Sequence, residues 1–222
     1  MKKFFITATD TDAGKTYVAC SLIHALTKLG KKVAVYKPIS AGCEVEQGQL
    51  VNEDAKLLMQ SANSQQSLSQ INPIAFLEPI APHIAANKQN KEITIAEVCN
   101  GYSKVLDNQA DVIITEGAGG WRLPLGNNKY LSEFAFATKQ DVILIVNMKL
   151  GCLNHARLTY EAIVADGLNC IAWVANSYTA MPYLDENIAE LKQLLPVPLI
   201  AQLGFCSDTK ANEDKFDLSP LH

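Results

Sequence analysis

Residues 3–16 read Lys3-Phe4-Phe5-Ile6-Thr7-Ala8-Thr9-Asp10-Thr11-Asp12-Ala13-Gly14-Lys15-Thr16, and their order decides the fold. Lys3–Thr7 is a short apolar run rich in aromatic and β-branched residues, the pattern of a strand buried on both faces. Behind it, Lys15–Leu29 sets Val18, Leu22, Ile23, Leu26 and Leu29 on one helical face and stops at Gly30, a good C-terminal cap. A strand, a loop ending in Gly-Lys-Thr and a helix form the context of a phosphate-binding loop. There, successive backbone N–H groups and the helix N-terminus face the phosphates, the lysine reaches the β and γ oxygens, and the hydroxyl ligates Mg2+. Lys15 and Thr16 fit those roles, with Asp12, Ala13, Gly14 and Tyr17 as further nucleotide contacts. The general spacing G-x-x-x-x-G-K-[ST] asks for glycine at position 9, where this chain has Thr9.

Working outward, further apolar runs at Val33–Lys37, Val112–Glu116, Val142–Asn147, Ile171–Asn176 and Leu199–Gln202 read as strands. Segments near Glu53–Ala62, Thr94–Gln109, Asn154–Ala165 and Tyr183–Leu194 read as helices. Strand and helix alternate from end to end, which predicts an α/β fold with a mostly parallel sheet, in one domain spanning 1–222. The stretch Ile71–Asn90 contains Pro73, Pro79 and Pro82 and reads as a long ordered excursion without regular helix. Ser207–His222 lacks apolar periodicity and reads as a surface tail or a partly mobile cover. The formal charge of −4 comes with interspersed acids and bases and leaves no basic face for nucleic acid. The apolar stretch after Met1 is too short for a signal sequence or a membrane span, so no membrane association and a cytoplasmic location are expected. Six scattered cysteines without a C-x-x-C pair suit reduced thiols.

Three more segments carry candidate chemistry. Asp111–Trp121 is an apolar strand ending in Glu116, followed by Gly117, Ala118, Gly119 and Gly120. The carboxylate is either a solvated strand end or, paired with the loop, an acid for Mg2+, and the glycines allow close backbone approach or simply make a turn. Val35–Gly42 delivers Lys37 at the C-terminal end of a strand, where open α/β sheets bind ligands and where lysines also escape to solvent. Asn52-Glu53-Asp54 opens a helix, so Asp54 is a charge partner of the helix dipole or a second Mg2+ acid.

Together these segments resemble the dethiobiotin synthetase family, within the wider group of P-loop ATPases. T-D-T-D-A-G-K-T at 9–16 is similar to its T-D-T-E-V-G-K-T and Y-K-P-I to Y-K-P-V. The resemblance extends over Asn72–His83, E-G-A-G-G-W at 116–121, K-L-G-C-L-N-H at 149–155 and W-V-A-N at 173–176. It implies a P-loop NTPase-like sheet with helices on both faces. It also implies an ATP- and Mg2+-dependent cyclo-ligase of biotin biosynthesis that converts 7,8-diaminononanoate (diaminopelargonate), CO2 and ATP to dethiobiotin, ADP and phosphate through a carbamate and a carbamic-phosphoric anhydride. Carried over by residue, Lys15 and Lys37 are catalytic, and Thr16, Asp54 and Glu116 surround Mg2+. Gly117, Ala118, Gly119, Asn176, Gly204, Phe205 and Cys206 join the nucleotide site. Lys37, Ser40, Ala41, Gly151, Cys152, Leu153 and Asn154 bind the diamine, the last four from the partner subunit of a homodimer. The family pattern has glycine at Ala8, serine at Ala41 and often proline at Gly204. The rival reading is a nucleotide-dependent switch ATPase of the partitioning type, which shares fold and loop. Such switches carry a lysine where this chain has Asp10.

Overall fold

The computed structural model describes residues 1–204 and 208–221. Six strands form one parallel sheet: β1 Lys2–Ala8, β2 Val33–Tyr36, β3 Val112–Glu116, β4 Asp141–Asn147, β5 Cys170–Ser177 and β6 Leu199–Gly204, in the spatial order β6-β5-β4-β1-β3-β2. Side chains on a strand alternate between faces, and both faces here are covered. Phe5, Tyr36, Ile113, Leu144 and Trp173 join one apolar core, while Phe4, Ile6, Val35, Ile114 and Ile145 join the other. That is why the strands read as continuous apolar runs; each large side chain so buried contributes about 1.5–3 kcal/mol.

The helices are α1 Lys15–Lys28, α2 Glu53–Ser61, α3 Leu68–Ile71, α4 Pro82–Lys88, α5 Ile95–Leu106, α6 Ser132–Ala137, α7 Cys152–Ala165 and α8 Leu184–Leu194. None is long and apolar enough to cross a membrane among the described residues. Asn52 caps α2 by accepting from the Ala55 N–H, and Thr94 caps α5 by accepting from the Glu97 N–H, so both polar residues sit just outside the helices they start.

The excursion expected to lack helix contains α4, which begins with Pro82 at its first turn. A proline there loses only an N–H that the helix could not have bonded, so it starts a helix rather than breaking one. The C-terminal tail is also corrected. Thr209–Lys215 forms a 3-10 turn packed along α1, and Leu221 in the turn Ser219–Leu221 is buried. Its anchors are specific: Lys28 pairs with Glu213 and Asp214, and the Asp217 N–H donates to the Ile200 carbonyl at 2.8 Å. Phe216, Leu218 and Leu221 pack on the core at irregular intervals, which leaves no apolar period to read. Helix α6 and the hairpin strands Pro124–Gly126 with Lys129–Tyr130 and Glu44–Glu46 with Gln49–Val51 were not expected.

Sheet register places the chemistry. Ile6 pairs with Glu116 and Tyr36 with Thr115. Lys37, one residue past Tyr36, therefore reaches the end of β3 where Glu116 sits, and the loop leaving β1 passes over both.

Candidate active site

The loop Thr9–Gly14 is fastened from below. The Thr9 N–H donates to the Ile145 carbonyl at 3.0 Å and its hydroxyl accepts from the Asn147 N–H at 3.2 Å. Threonine at the position of the general motif's glycine is thus a hydrogen-bonding anchor to β4. Gly14 caps α1 at φ +78°, and a Cβ there would overlap the Asn176 amide and the Tyr178 ring; only glycine meets both conditions. Asn176, fully buried, donates from Nδ2 to the Ala13 carbonyl at 2.8 Å and keeps a buried, unpartnered Oδ1.

Lys15 curls back over the loop, donating to the carbonyls of Asp10 at 3.3 Å and Thr11 at 3.1 Å. With 6% of its surface exposed, its pKa is pushed down to about 8, from the ordinary 10.5, chiefly by burial, with Lys37 adding repulsion against the attraction of Glu116 and Asp54. Opposite it, Lys37 is buried and bridges two acids, Nζ lying 2.6 Å from Glu116 Oε1 and 3.2 Å from Asp54 Oδ2. Burial opposes its charge, but Glu116 and Asp54 outweigh burial and hold its pKa above the usual lysine value. Burial likewise works to raise Asp54, yet Lys37 and the Thr16 hydroxyl keep it below the usual carboxylate value. Thr16 Oγ1 donates to Glu116 Oε1 at 2.9 Å, while Glu116 Oε2 is buried without a partner.

These groups line a cavity of about 950 Å³, together with Thr11, Asp12, Gly14, Tyr17, Ala118, Gly119, Ile39, Ser40, Ala41 and Asn52. Pro79–Pro82 of the proline-rich excursion and Leu123 from the loop after β3 complete its lining. Ser40 is buried and donates to Asn72 Oδ1 at 2.7 Å. Gly117 fits under the ring of Phe5, which a Cβ would touch at 3.0 Å. The loop beyond it is held by Trp121 and Arg122, both hydrogen-bonded to Asp166 at the end of α7.

Of the residues anticipated from sequence, the fold brings Asp12, Gly14, Lys15, Thr16, Tyr17, Lys37, Ser40, Ala41, Asp54, Glu116, Ala118 and Gly119 around one cavity. Gly151, Cys152, Leu153 and Asn154 do not line it. They open α7, with Gly151 at φ +93° as its cap and Asn154 exposed, and Lys149 just before them pairs with Asp10 of the loop. Gly204 ends β6 and accepts at its carbonyl from the Tyr17 hydroxyl at 2.8 Å; Phe205 and Cys206 lie outside the described residues. Sequence reasoning marked Asn72 only as the start of the motif Asn72–His83, without a role, and missed Tyr178 and Asn212, isolated polar residues without spacing to mark them. Cys20 is no nucleophile, since burial raises its thiol to about 12.

A family profile described as AAA domain matches residues 2–213. The ATP-dependent dethiobiotin synthetase BioD of Alteromonas mediterranea is 47% identical over 222 residues, covering 95% of this chain and 95% of the relative. That of Pseudoalteromonas translucida is 48% identical over 212 residues (94% and 92%), and that of Pseudomonas aeruginosa 42% over 224 residues (100% and 98%). Among solved structures, the MinC:MinD cell division complex of Aquifex aeolicus matches at TM-score 0.56 and 14% identity over 96% of this chain and 86% of that one. The signal recognition particle receptor FtsY of Elizabethkingia anophelis matches at 0.51 and 14% (94% and 58%). These distant likenesses show the fold alone. At the position where switch ATPases carry a lysine, this chain has Asp10, which is tied to Lys149. With 42–48% identity to three relatives over nearly its whole length, the chain belongs to the ATP-dependent dethiobiotin synthetase family.

Proposed function

We propose that the chain closes the cyclic urea of dethiobiotin on 7,8-diaminononanoate, using CO2 and ATP and releasing ADP and phosphate, in the cytoplasm. The observation that carries this reading is the second buried cation: Lys37 faces the phosphate loop across one cavity large enough for a nucleoside triphosphate tail and a chain-like substrate. A nucleotide-binding module alone has no use for it.

In this reading one amine of the substrate attacks CO2 and loses a proton, giving a carbamate. A carbamate oxygen attacks the γ-phosphorus as the bond to ADP breaks. The second amine then attacks the anhydride carbon, expels phosphate and loses its proton as the ring closes. Each step moves negative charge, so catalysis rests on positioning and neutralisation. Lys15 swings from the loop carbonyls to the β and γ oxygens, and Lys37 neutralises carbamate and transferring phosphoryl. Asp12, Ala13, Gly14 and Tyr17 with Glu116–Gly119 hold the nucleotide; Asn176 and Gly204 lie toward its base. Ser40 has committed its proton to Asn72, which leaves the Ala41 backbone as the freer substrate contact at that corner.

The chemistry of the site fits Mg2+. No group of three His, Cys, Asp or Glu side chains that could hold a metal ion occurs among the described residues; the oxygens offered to an ion here are the Thr16 hydroxyl, Asp54 and Glu116, whose Oε2 is buried and lacks a partner. Phosphate oxygens and water complete such a shell. When bound, Mg2+ neutralises the β- and γ-phosphate oxygens.

Gly151–Asn154 open α7 without lining this cavity, and the family membership supports a homodimer in which this segment serves the partner's site and holds the carboxylate end of the diamine. Phosphate release from ATP tests the function. It should depend on both 7,8-diaminononanoate and bicarbonate, and strong turnover without the diamine would sink the synthetase reading.

A further inference from the structure

In the 3-10 turn Thr209–Lys215, Asn212 alone is buried, and it is fully so. Its Nδ2 donates to the Tyr17 hydroxyl at 2.6 Å and to Ser21 Oγ at 3.3 Å, while Oδ1 is buried without a partner. Ser21 commits its own proton to the Tyr17 carbonyl at 2.9 Å, so toward the amide it can only accept. A phenol has one proton. With the amide N–H on its lone pair, Tyr17 turns that proton to the Gly204 carbonyl at 2.8 Å. Asn212 thereby sets the direction of the whole chain of bonds. A leucine of similar shape would spare the fold an unpaired buried carbonyl, so what the amide gains lies in the hydroxyl it aims.

That hydroxyl sits where a nucleoside is expected. Gly204 pairs with Ser177 at the C-terminal ends of β6 and β5, the edge at which open α/β sheets take ligands. Tyr17 follows Thr16 directly, its ring centroid lies 6.1 Å from that of Tyr178, and Asn176 stands next along β5. A nucleotide with its phosphates on Gly14–Thr16 has Tyr17, Tyr178, Asn176 and Gly204 nearest for its sugar and base.

We propose that Asn212 is a positioning residue for nucleoside recognition, acting through the Tyr17 hydroxyl on the Gly204 carbonyl. This rests on the nucleotide reading above. The test compares the full-length protein with its Asn212→Leu, Tyr17→Phe and double variants by steady-state kinetics, with inorganic tripolyphosphate as a probe that has phosphates and no nucleoside.

Losing one aimed hydrogen bond should raise the KM for ATP about fivefold in each single variant, with kcat and the diamine KM within about twofold. Inhibition by tripolyphosphate should stay unchanged. The double variant should be no worse than the worse single variant, because both substitutions break one chain of bonds. An unchanged ATP KM in a folded Asn212→Leu protein overturns the proposal, as do losses that multiply in the double variant or an equal weakening of tripolyphosphate. If Asn212→Leu does not fold, Tyr17→Phe decides, since it removes one oxygen from a half-exposed ring; an unchanged ATP KM there overturns the proposal too. A wild-type protein that does not use ATP fails the nucleotide reading itself, an outcome separate from any variant's behaviour.

Discussion

The depressed pKa of the Lys15 amine should make nucleotide binding a proton-linked event. Burial, aided by Lys37, leaves its pKa at about 8 in the free protein. Phosphate oxygens placed on the ammonium favour the charged form, so binding should return the pKa toward the ordinary 10.5. The free site is half protonated at its pKa and the bound site almost fully, giving uptake of about 0.1 proton per nucleotide at pH 7, about 0.5 at pH 8 and about 0.9 at pH 9. Affinity should therefore fall about tenfold between pH 7 and pH 9. Calorimetric titration with Mg2+ and a non-hydrolysable ATP analogue, in buffers of different ionisation enthalpy at one pH, reads the proton number directly. Lys15→Arg, always charged, should bind without uptake at pH 8. The sign for folding is opposite. Between about 8 and 10.5 the unfolded chain holds more protons at this residue, so Lys15 alone makes stability rise with pH across that window. No uptake at pH 8, or uptake that persists in Lys15→Arg, would refute the reasoning.

Three further outcomes follow from the geometry. Glu116→Gln keeps the shape at the end of β3 but removes the charge facing Lys37; kcat should drop at least about tenfold and the Mg2+ requirement should shift upward, and a Mg2+ titration identical to wild type would count against metal ligation. Co-refolding Lys37→Ala with Asn154→Asp subunits should restore about a quarter of wild-type activity, since half the randomly paired dimers are mixed and each has one intact site; no recovery despite demonstrated heterodimers would remove Asn154 from the partner's site. Gly101→Ala in α5 should destabilise by about 1–3 kcal/mol without changing kcat, because its Cβ would overlap the buried Tyr36 hydroxyl and displace that hydroxyl from the Val98 carbonyl, where it donates at 2.8 Å; a melting temperature equal to wild type would contradict this.

The α/β alternation, the parallel sheet and the phosphate loop were legible in the chain because each is a local matter. A strand buried on both faces must be apolar throughout, a helix must carry its stripe, and a loop feeding a helix N-terminus must offer glycine, lysine and a hydroxyl within a few residues. Lys37, Asp54 and Glu116 were visible as candidates, yet each had an ordinary local explanation. Only the order β1-β3-β2, pairing Ile6 with Glu116 and Tyr36 with Thr115, together with the start of α2 that carries Asp54, places Lys37 against both acids. The excursion at 71–90 was legible as unusual, but its service as the cavity wall at Pro79–Pro82 depends on where the sheet puts it. The C-terminal segment was misread, because what secures it, Phe216, Leu218 and Leu221 packed on the core together with single long-range bonds such as Asn212 to Tyr17, falls at irregular intervals that leave no periodicity in the chain. Propensity and pattern are properties of neighbours in sequence, whereas hydrogen-bond satisfaction and charge pairing are properties of neighbours in space, and those the tertiary structure alone decides.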